Sequence, residues 1–538
     1  MNIISIGVSG LTAAQIALTT SSNNTTNAYT DGYTRQVANF SEATSGSGVQ
    51  VSSVSRQYNQ FVTAQLNGAI SAQSALSTYQ TEVDQIDSLL SDSGASLDSL
   101  LQSFFSAIQT LTSDASDTAA REEVVGSAET LASQFNQLGS YLAEMADDVN
   151  NQIDDQVTQI NGLSAQIATL NGQISLSESL GSASNDLLDQ RDLLVSQLSE
   201  LVAVDITVQD NGSYTVSLSN GMALVSGGDS FELATQPSSS DPSELSISYV
   251  DAAGNSVTLD EDTLDSGALG GLLEFRDTTL AETQNQLGLM AVSLAQAFNT
   301  LQAQGIDLNG NTGTDFFSVA DPVVYGNTGN TGDAAISASF SASASASELS
   351  ASDYTVSYSD TDGFTVTRND TGASVAAAYD SSSGTLSFAG MELTISGSAN
   401  DGDSFLVQPT RNAASSFTTL ISEGEQIAAG TTSGSSDNTN ALAMLDLQTS
   451  DIVGGSATLS ESYAALVSDV GSTATRVAAQ LETQSALTEQ LSTLQQSESG
   501  VNLDEEAANL IVYQQYYQAC AKIVEVGTTV LDTIIDIS

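Results

Sequence analysis

The sequence predicts a mainly α-helical rod with β-rich domains inserted mid-chain, its coiled-coil or helical-bundle axis formed by paired N- and C-terminal helices. Three observations carry that prediction. Apolar residues recur at alternating spacings of four and three at both ends of the chain, the same pattern recurs through residues 124–174, and two stretches in the middle switch to a period of two.

Near the N-terminus Ile4, Val8, Leu11, Gln15 and Leu18 fall on one stripe of a helix, while Gly7, Gly10, Ala13, Ala14 and Ala17 leave its flank almost without bulk. Leu76, Tyr79, Val83, Ile86 and Leu90 form a second stripe, and Leu97, Leu100, Leu101, Phe104, Phe105, Ile108 and Leu111 a third. Asp114 or Asp117 offers an N-cap for the next helix, with Glu122 and Glu123 in its first turns. The pattern then runs through Val124, Leu131, Phe135, Leu142, Ile153, Ile160, Ile167 and Ile174, as in a coiled coil or long bundle helix. Asn161-Gly162 and Asn171-Gly172 are expected to end or kink it early. After a helix at residues 187–201, Val204, Ile206 and Val208 alternate, and Asn211-Gly212 and Asn220-Gly221 mark tight turns of a small β element reaching about residue 259. Helix returns at residues 272–301. Residues 319–409 read as β, with Asp362-Gly363 as a turn, and the Ser/Ala-rich residues 337–351 as a linker or an exposed edge strand. The last third is helical, with Leu459, Tyr463, Leu466, Val470, Ala474, Val477 and Leu481 on one stripe and Leu487, Leu491 and Leu494 beyond it.

The C-terminal helix carries two seams. Leu510, Tyr513, Tyr517, Cys520, Val524, Gly527, Leu531 and Ile534 form one, and Val512, Tyr516, Ala519, Ile523, Val526, Val530 and Ile537 the other. That arc is wider than one partner helix covers, so one seam is expected against the N-terminal helix and the other against neighbouring subunits. The order of elements divides the chain into an N-terminal axial segment (1–50), a first bundle part (51–200), a small β insertion (201–261), a second bundle part (262–318), a β-rich outer domain (319–411), a third bundle part (412–499) and a C-terminal axial helix (500–538) that pairs with the first.

Composition excludes much chemistry. The 538 residues include no His, no Trp and one Cys, which removes His-based triads, Cys-His pairs and zinc motifs. A net charge of -56, from 65 acidic and 9 basic residues, opposes binding to nucleic acid or to anionic membranes. Residues 1–40 hold only Asp31 and Arg35 as charged side chains, so a basic leader region is missing, and no apolar run reads as long enough to cross a bilayer. Asp307, Asn309 and Asn311 have the spacing of a calcium loop, but Thr312 and Ser318 stand where Gly and Glu are needed, so a turn is the reading. Acidic pairs such as Asp147-Asp148, Asp154-Asp155 and Glu505-Glu506 sit side by side on helices and do not face each other across a cleft. No enzyme activity and no cofactor or metal site is assigned. Glu505 and Glu506 suit the start of the C-terminal helix, and the scarce Arg35, Arg191 and Arg276 are expected to meet carboxylates, within or between subunits.

Several segments carry a family resemblance. Ser9-Gly10-Leu11-Thr12-Ala13-Ala14-Gln15, the stretch from Ser22-Asn23-Asn24 to Gly32-Tyr33-Thr34-Arg35-Gln36, and Gly500-Val501-Asn502-Leu503-Asp504-Glu505-Glu506 with Tyr516-Tyr517 resemble the paired ends of the flagellar rod and hook axial proteins, and among them the hook-associated protein 1 family. Leu188-Asp189-Gln190-Arg191-Asp192, Gly270-Gly271-Leu272-Leu273-Glu274-Phe275-Arg276-Asp277, Phe298-Asn299-Thr300 with Phe316-Phe317, and Gly402-Asp403-Ser404-Phe405 are similar to internal segments of that family. Thr25-Thr26 departs from its more apolar pair.

The resemblance implies a structural protein of the bacterial flagellum that polymerises at the distal end of the hook, joining hook to filament. It also implies terminal helices lining an axial channel with β domains outermost. The implied partners are the hook protein, the third hook-associated protein, further copies of the chain, an export chaperone and the export apparatus, with neither nucleic acid nor membrane insertion. The implied place is outside the cell, reached by type III export without a cleaved signal peptide. The expected subunit and axial interface comprises Ile4, Val8, Leu11, Leu18, Tyr33, Arg35, Leu510, Tyr513, Tyr517, Val524, Leu531 and Ile534, and the expected chaperone site Ile523, Val524, Val530 and Leu531. The alternatives are another flagellar axial protein, or an acidic secreted coiled-coil adhesin or surface-layer protein. Helix seams at both ends favour the axial reading, since an adhesin needs one anchor.

Overall fold

A computed structural model of the chain describes residues 3–43, 48–91, 96–180, 184–341, 348–432 and 436–537, with Ile537 described in its backbone alone. Its helices are α1 (Ile3–Thr26), α2 (Gln60–Leu90), α3 (Leu97–Ser113), α4 (Thr118–Ser179), α5 (Asn185–Leu201), α6 (Gly267–Phe275), α7 (Ala281–Gln304), the short α8 (Ala413–Ser416) and α9 (Thr439–Asp446), α10 (Leu459–Ser499) and α11 (Leu503–Ile537). The two ends of the chain lie together: α1 packs along α11, and α2 runs antiparallel to α10. Between the axial pair and the bundle stands a hairpin of β1 (Gln36–Glu42) and β2 (Val49–Arg56).

The caps explain where the helices begin. Asn59 Oδ1 accepts from the Phe61 and Val62 amides ahead of α2, Asp117 accepts from Ala119 N at 2.8 Å ahead of α4, and Thr458 and Glu461 close a capping box on α10. The bundle core follows the sequence stripes. Phe104, Phe105, Phe298, Phe316, Phe317 and Phe417 are buried together, with ring centroids 4.8 Å apart for Phe298–Phe316 and again for Phe317–Phe417, so α3 and α7 close on the strand pair of Phe317–Ser318 and Thr418–Thr419 that brackets the outer domain.

Helix α4 is 62 residues long, about 93 Å at 1.5 Å per residue. It does not end at Asn161-Gly162 or Asn171-Gly172, as the sequence suggests, but runs on to Ser179. The asparagines have another use. Asn161 donates to Leu233 O and accepts from Leu233 N, both at 2.8 Å, and Asn171 makes the same pair of bonds to Tyr214 at 2.9 Å. Asn150 bonds Ser243 O and Leu245 N in the same way. A carboxamide offers one donor and one acceptor side by side, so each completes a strand edge as a further strand would. Spaced eleven and ten residues apart, all three lie near one face of α4, and that face docks the small β insertion.

The insertion holds two antiparallel sheets, a four-stranded one beginning at Val204–Val208 and a three-stranded one beginning at Glu232–Pro237. Gly212 and Gly221, with φ of 76° and 84°, make the predicted Asn-Gly turns. The outer β region, from Val323–Gly326 to Ser404–Gln408, forms a five-stranded and a four-stranded antiparallel sheet. The Ser/Ala-rich stretch begins in the edge strand Ala335–Phe340 of the latter, and residues 342–347 lie outside the described residues. A π-helical turn, Arg276–Leu280, separates α6 from α7 where one continuous helix is expected. It sets Arg276 among Glu244, Glu261 and Asp277.

Arg191 departs from expectation. Its guanidinium forms no ion pair among the described residues but lies 3.3 Å from the Tyr214 ring centroid, and donates to Asn171 Oδ1 and Gly212 O at 3.0 and 2.7 Å. Burial lowers its pKa, and an aromatic face with two oxygen acceptors supplies what a carboxylate was expected to give.

Candidate axial interface

The α1–α11 pair is built on small residues. Gly7, Gly10, Ala13, Ala14, Ala17, Thr20, Ser21 and Asn24 are the buried positions of α1, so the flank without bulk faces inward. A Cβ on Gly10 would lie 2.5 Å from Cys520 Sγ, one on Gly7 would lie 2.7 Å from Val524 Cγ2, and one on Gly527 would lie 2.8 Å from Ile4 Cγ1. Only helices without side chains at these crossings approach so closely. Cys520, 5% exposed, is a small apolar filler in this contact.

The polar end of the pair is a clasp. Arg35 Nε donates to Glu506 Oε1 and its Nη1 to Glu505 Oε2, both at 2.8 Å, and the Arg35 amide donates to Ser499 O. Ser21 Oγ donates to Glu506 Oε2 at 2.5 Å, so the buried Glu506 carboxylate is held by both α1 and the segment that follows it. The Asn502 side chain accepts from the Asp504 and Glu505 amides. Glu505 and Glu506 therefore stand in the first turn of α11, as the dipole argument wants, and also clamp the N-terminal segment.

The rest of the Gly-Tyr-Thr-Arg-Gln segment is tied residue by residue. Gly32, with φ of 75°, turns the chain against Leu193. Tyr33 donates to Asn24 Oδ1, and burial together with Asp189 and Glu506 pushes its pKa up to about 12. Thr34 bonds Asp189 through both its amide and its hydroxyl, and Gln36 exchanges two bonds with Asn24. Arg56, at the end of β2, pairs with Asp189 and Asp192 at 3.0 and 2.6 Å. One short segment thus joins the axial pair to α5.

The named interface residues fall into two groups. Ile4, Leu11, Leu18, Leu510, Tyr513 and Val524 are half-buried within the chain, with the Tyr513 ring 6.4 Å from that of Phe40, and Tyr33 and Arg35 are engaged in the clasp. Val8 (48%), Tyr517, Leu531 (43%) and Ile534 (62%) are exposed, as are Ile523 and Val530. Along all 35 residues of α11, only Glu506, Cys520 and Gly527 are buried among the described side chains. The partners of Glu506 and Asp189 are not anticipated from the sequence. The signal available for the first was a lone cation in a nearly uncharged N-terminal segment and an acidic doublet at the start of the helix expected to pair with it.

Two further expectations meet the structure here. As a helix, Ile3–Thr26 has a window of mean hydropathy 1.5 and is long enough to cross a bilayer, which corrects the reading that no such run exists. Its inward face, however, is fitted to α11 through glycine and alanine. Among the described residues no three His, Cys, Asp or Glu side chains are gathered for a metal ion, and Asp307 closes a turn by accepting from Asn311 N at 2.7 Å.

Comparison with known proteins matches three segments of the chain to family models. Residues 83–317 match the flagellar hook-associated protein FlgK helical domain, residues 325–409 the D2-like domain of flagellar hook-associated protein 1, and residues 495–537 the C-terminal model of the flagellar basal body rod FlgEFG proteins. Flagellar hook-associated protein 1 of Salmonella typhimurium is 41% identical over 554 residues, and that of Escherichia coli K12 is 41% identical over 549, each comparison covering 100% of both chains. The solved structure of the flagellar hook junction protein FlgK from Burkholderia pseudomallei, 32% identical, superposes with a TM-score of 0.75 over 81% of this chain and 100% of that one. The adhesin and surface-layer readings are thereby set aside. With paired terminal helices, a helical body, mid-chain β sheets and full-length identity of 41%, the chain belongs to the flagellar hook-associated protein 1 family and is a structural axial protein of the flagellum.

Proposed function

We propose that the chain forms the junction between hook and filament by polymerising about the flagellar axis through the outward faces of α1 and α11. The observation that carries this reading is the side-chain division of the axial pair. Small residues are spent on the contact within the chain, while Val8, Ile511, Val512, Val526, Val530 and Ile534 are left exposed. A water-soluble chain gains nothing from such a surface unless something covers it. Copies of the chain cover it laterally, hook protein on one side of the junction and the third hook-associated protein on the other. The chain works outside the cell, reached through the flagellar export apparatus with its N-terminal segment retained, and it acts as a building block without catalysis or cofactor.

Before export, a chaperone takes Ile523, Val524, Val530 and Leu531. Val524 lies against Gly7 in the folded pair, so a chaperone that holds Val524 engages α11 before α1 has closed on it. The test separates the outward face from the inward one. The double substitution Ile523→Asp/Val530→Asp, at two exposed positions, is expected to leave the bundle's thermal unfolding unchanged and to abolish attachment to isolated hooks. Attachment at the wild-type level would refute the reading.

A further inference from the structure

The nine basic side chains of this chain are nearly all spoken for. Arg35, Arg56, Arg276, Arg368, Arg411 and Lys522 each hold a carboxylate, and Arg121 and Arg191 are buried on backbone carbonyls. Arg476 is different. It is exposed on α10 and makes no hydrogen bond or ion pair among the described residues, in a chain with 65 acidic residues to offer one. Its neighbours one helical turn away are Ser472, Thr473, Ala479 and Gln480, so no carboxylate of its own helix reaches it.

Arg476 also heads a stripe. Gln480, Thr483, Leu487, Gln490 and Leu494 follow it at alternating spacings of four and three; all are exposed, none is charged, and Leu487 and Leu494 are 45% and 41% exposed. The inward side of α10, through Val470, Ala474 and Val477, is buried in the bundle, and Gln484 and Gln495 bond to α2. On the other flank stand Glu482 and Glu489, seven residues apart and exposed, Glu482 being about 120° around the helix from Arg476. The two flanks of one helix are thus complementary: a cation with two leucines on one side, two carboxylates on the other.

We propose that a second copy of this chain docks on the Arg476 stripe, with Arg476 meeting the carboxylates Glu482 and Glu489 on the opposite flank of the neighbour's α10. Charge complementarity selects this occupant, because two different flanks of the same element make a head-to-tail contact, the kind that strings identical copies into a ring or a helical array. The contact lies on the bundle, apart from the α1–α11 faces, and rests on the axial reading above for the arrangement of copies side by side. It supplies an attraction where copies of net charge -56 otherwise repel, and it fixes their register.

Charge reversal tests it with the full-length chain, in sedimentation of self-associated protein and in attachment to isolated hooks at near-physiological salt. Arg476→Glu is expected to leave thermal unfolding unchanged and to weaken self-association about tenfold, with Arg476→Gln intermediate. The triple variant Arg476→Glu/Glu482→Arg/Glu489→Arg restores association to within about threefold of wild type, since the swap rebuilds the same pairs between copies. Wild-type association by Arg476→Glu, or failure of the swap to restore it, would overturn the proposal. If Ile523→Asp/Val530→Asp attaches normally to hooks, the axial reading falls; if that variant fails to attach while Arg476→Glu behaves as wild type, only the α10 contact falls.

Discussion

Gly10 and Cys520 show how much one atom decides in the axial pair. A methyl group at position 10 lands 2.5 Å from Cys520 Sγ, with Cys520 Cβ and Tyr516 Oη next at 3.5 Å. Gly10→Ala should therefore push α11 off α1, seen as faster amide hydrogen exchange in residues 3–26 and 503–537. In a Cys520→Ala chain the offending atom is gone and the remaining distances are ordinary contacts. There the same change is expected to be neutral or stabilising by about 1 kcal/mol, the helix-propensity advantage of alanine over glycine. Glu82 makes a different residue-scale case. Buried between α2 and α4, its carboxylate accepts from Gln85 and Gln152 and meets no cation among the described residues, and burial, with Asp148 nearby, raises its pKa. An acid whose folded pKa lies above its unfolded value of about 4.3 binds its proton more tightly when folded. Its penalty is thus absent below that value and grows as the pH rises through the window above it. Glu82→Gln is expected to raise the melting temperature at pH 7 and to give no gain at pH 4, in paired calorimetric scans.

The long helix α4 is the element on which the β insertion depends. Its apolar stripe was legible from Val124 onward because burial of a helix face imposes a 3.6-residue period on the sequence. Asn150, Asn161 and Asn171 were legible only as residues, and the Asn-Gly pairing of the last two pointed toward a break. Asn171 is fully buried, with its Oδ1 shared by the Tyr214 amide and Arg191 and its Nδ2 by the carbonyls of Tyr214 and Gly227. Asn171→Leu removes this bridge and leaves backbone groups without partners at a cost of about 1–3 kcal/mol each. The expected result is loss of exchange protection in residues 204–230 ahead of the bundle, with α4 still helical by circular dichroism. Protection of that sheet equal to wild type would show that sheet–helix packing alone holds the insertion.

At the scale of the whole molecule, charge is distributed against the axis. Helix α1 contains no charged side chain, whereas the chain as a whole carries -56. In the proposed axial assembly, copies brought side by side repel through their bodies and attract through their apolar ends. The screening length falls from about 30 Å at 0.01 M salt to about 8 Å at 0.15 M. Self-association is therefore expected to strengthen as salt rises over that range, in sedimentation across a salt series. Steady weakening instead would mean that opposite charges dominate every contact between copies. Within this overall trend the Arg476 contact carries the opposite salt dependence, so the advantage of wild type over Arg476→Glu should shrink as salt increases.

The sequence alone indicated most of the helical and β stretches, that both ends are amphipathic, and that His-based chemistry is excluded. It could do so because periodicity, turn glycines and composition are local properties, each written within a window of a few residues. The motif residues of the two termini carried the family resemblance in the same local way. What only the tertiary structure decided are the pairings. Ser21, Arg35 and Glu506 meet across more than 470 residues of chain, Asp189 receives Thr34 and Arg56, and the glycine flank of α1, more than its half-buried Ile4–Leu18 stripe, is turned into α11. A stripe in a sequence states that a face is apolar, but not which neighbour will lie against it. That choice depends on how closely two backbones can approach, and at Gly7, Gly10 and Gly527 it was the absence of side chains that settled it.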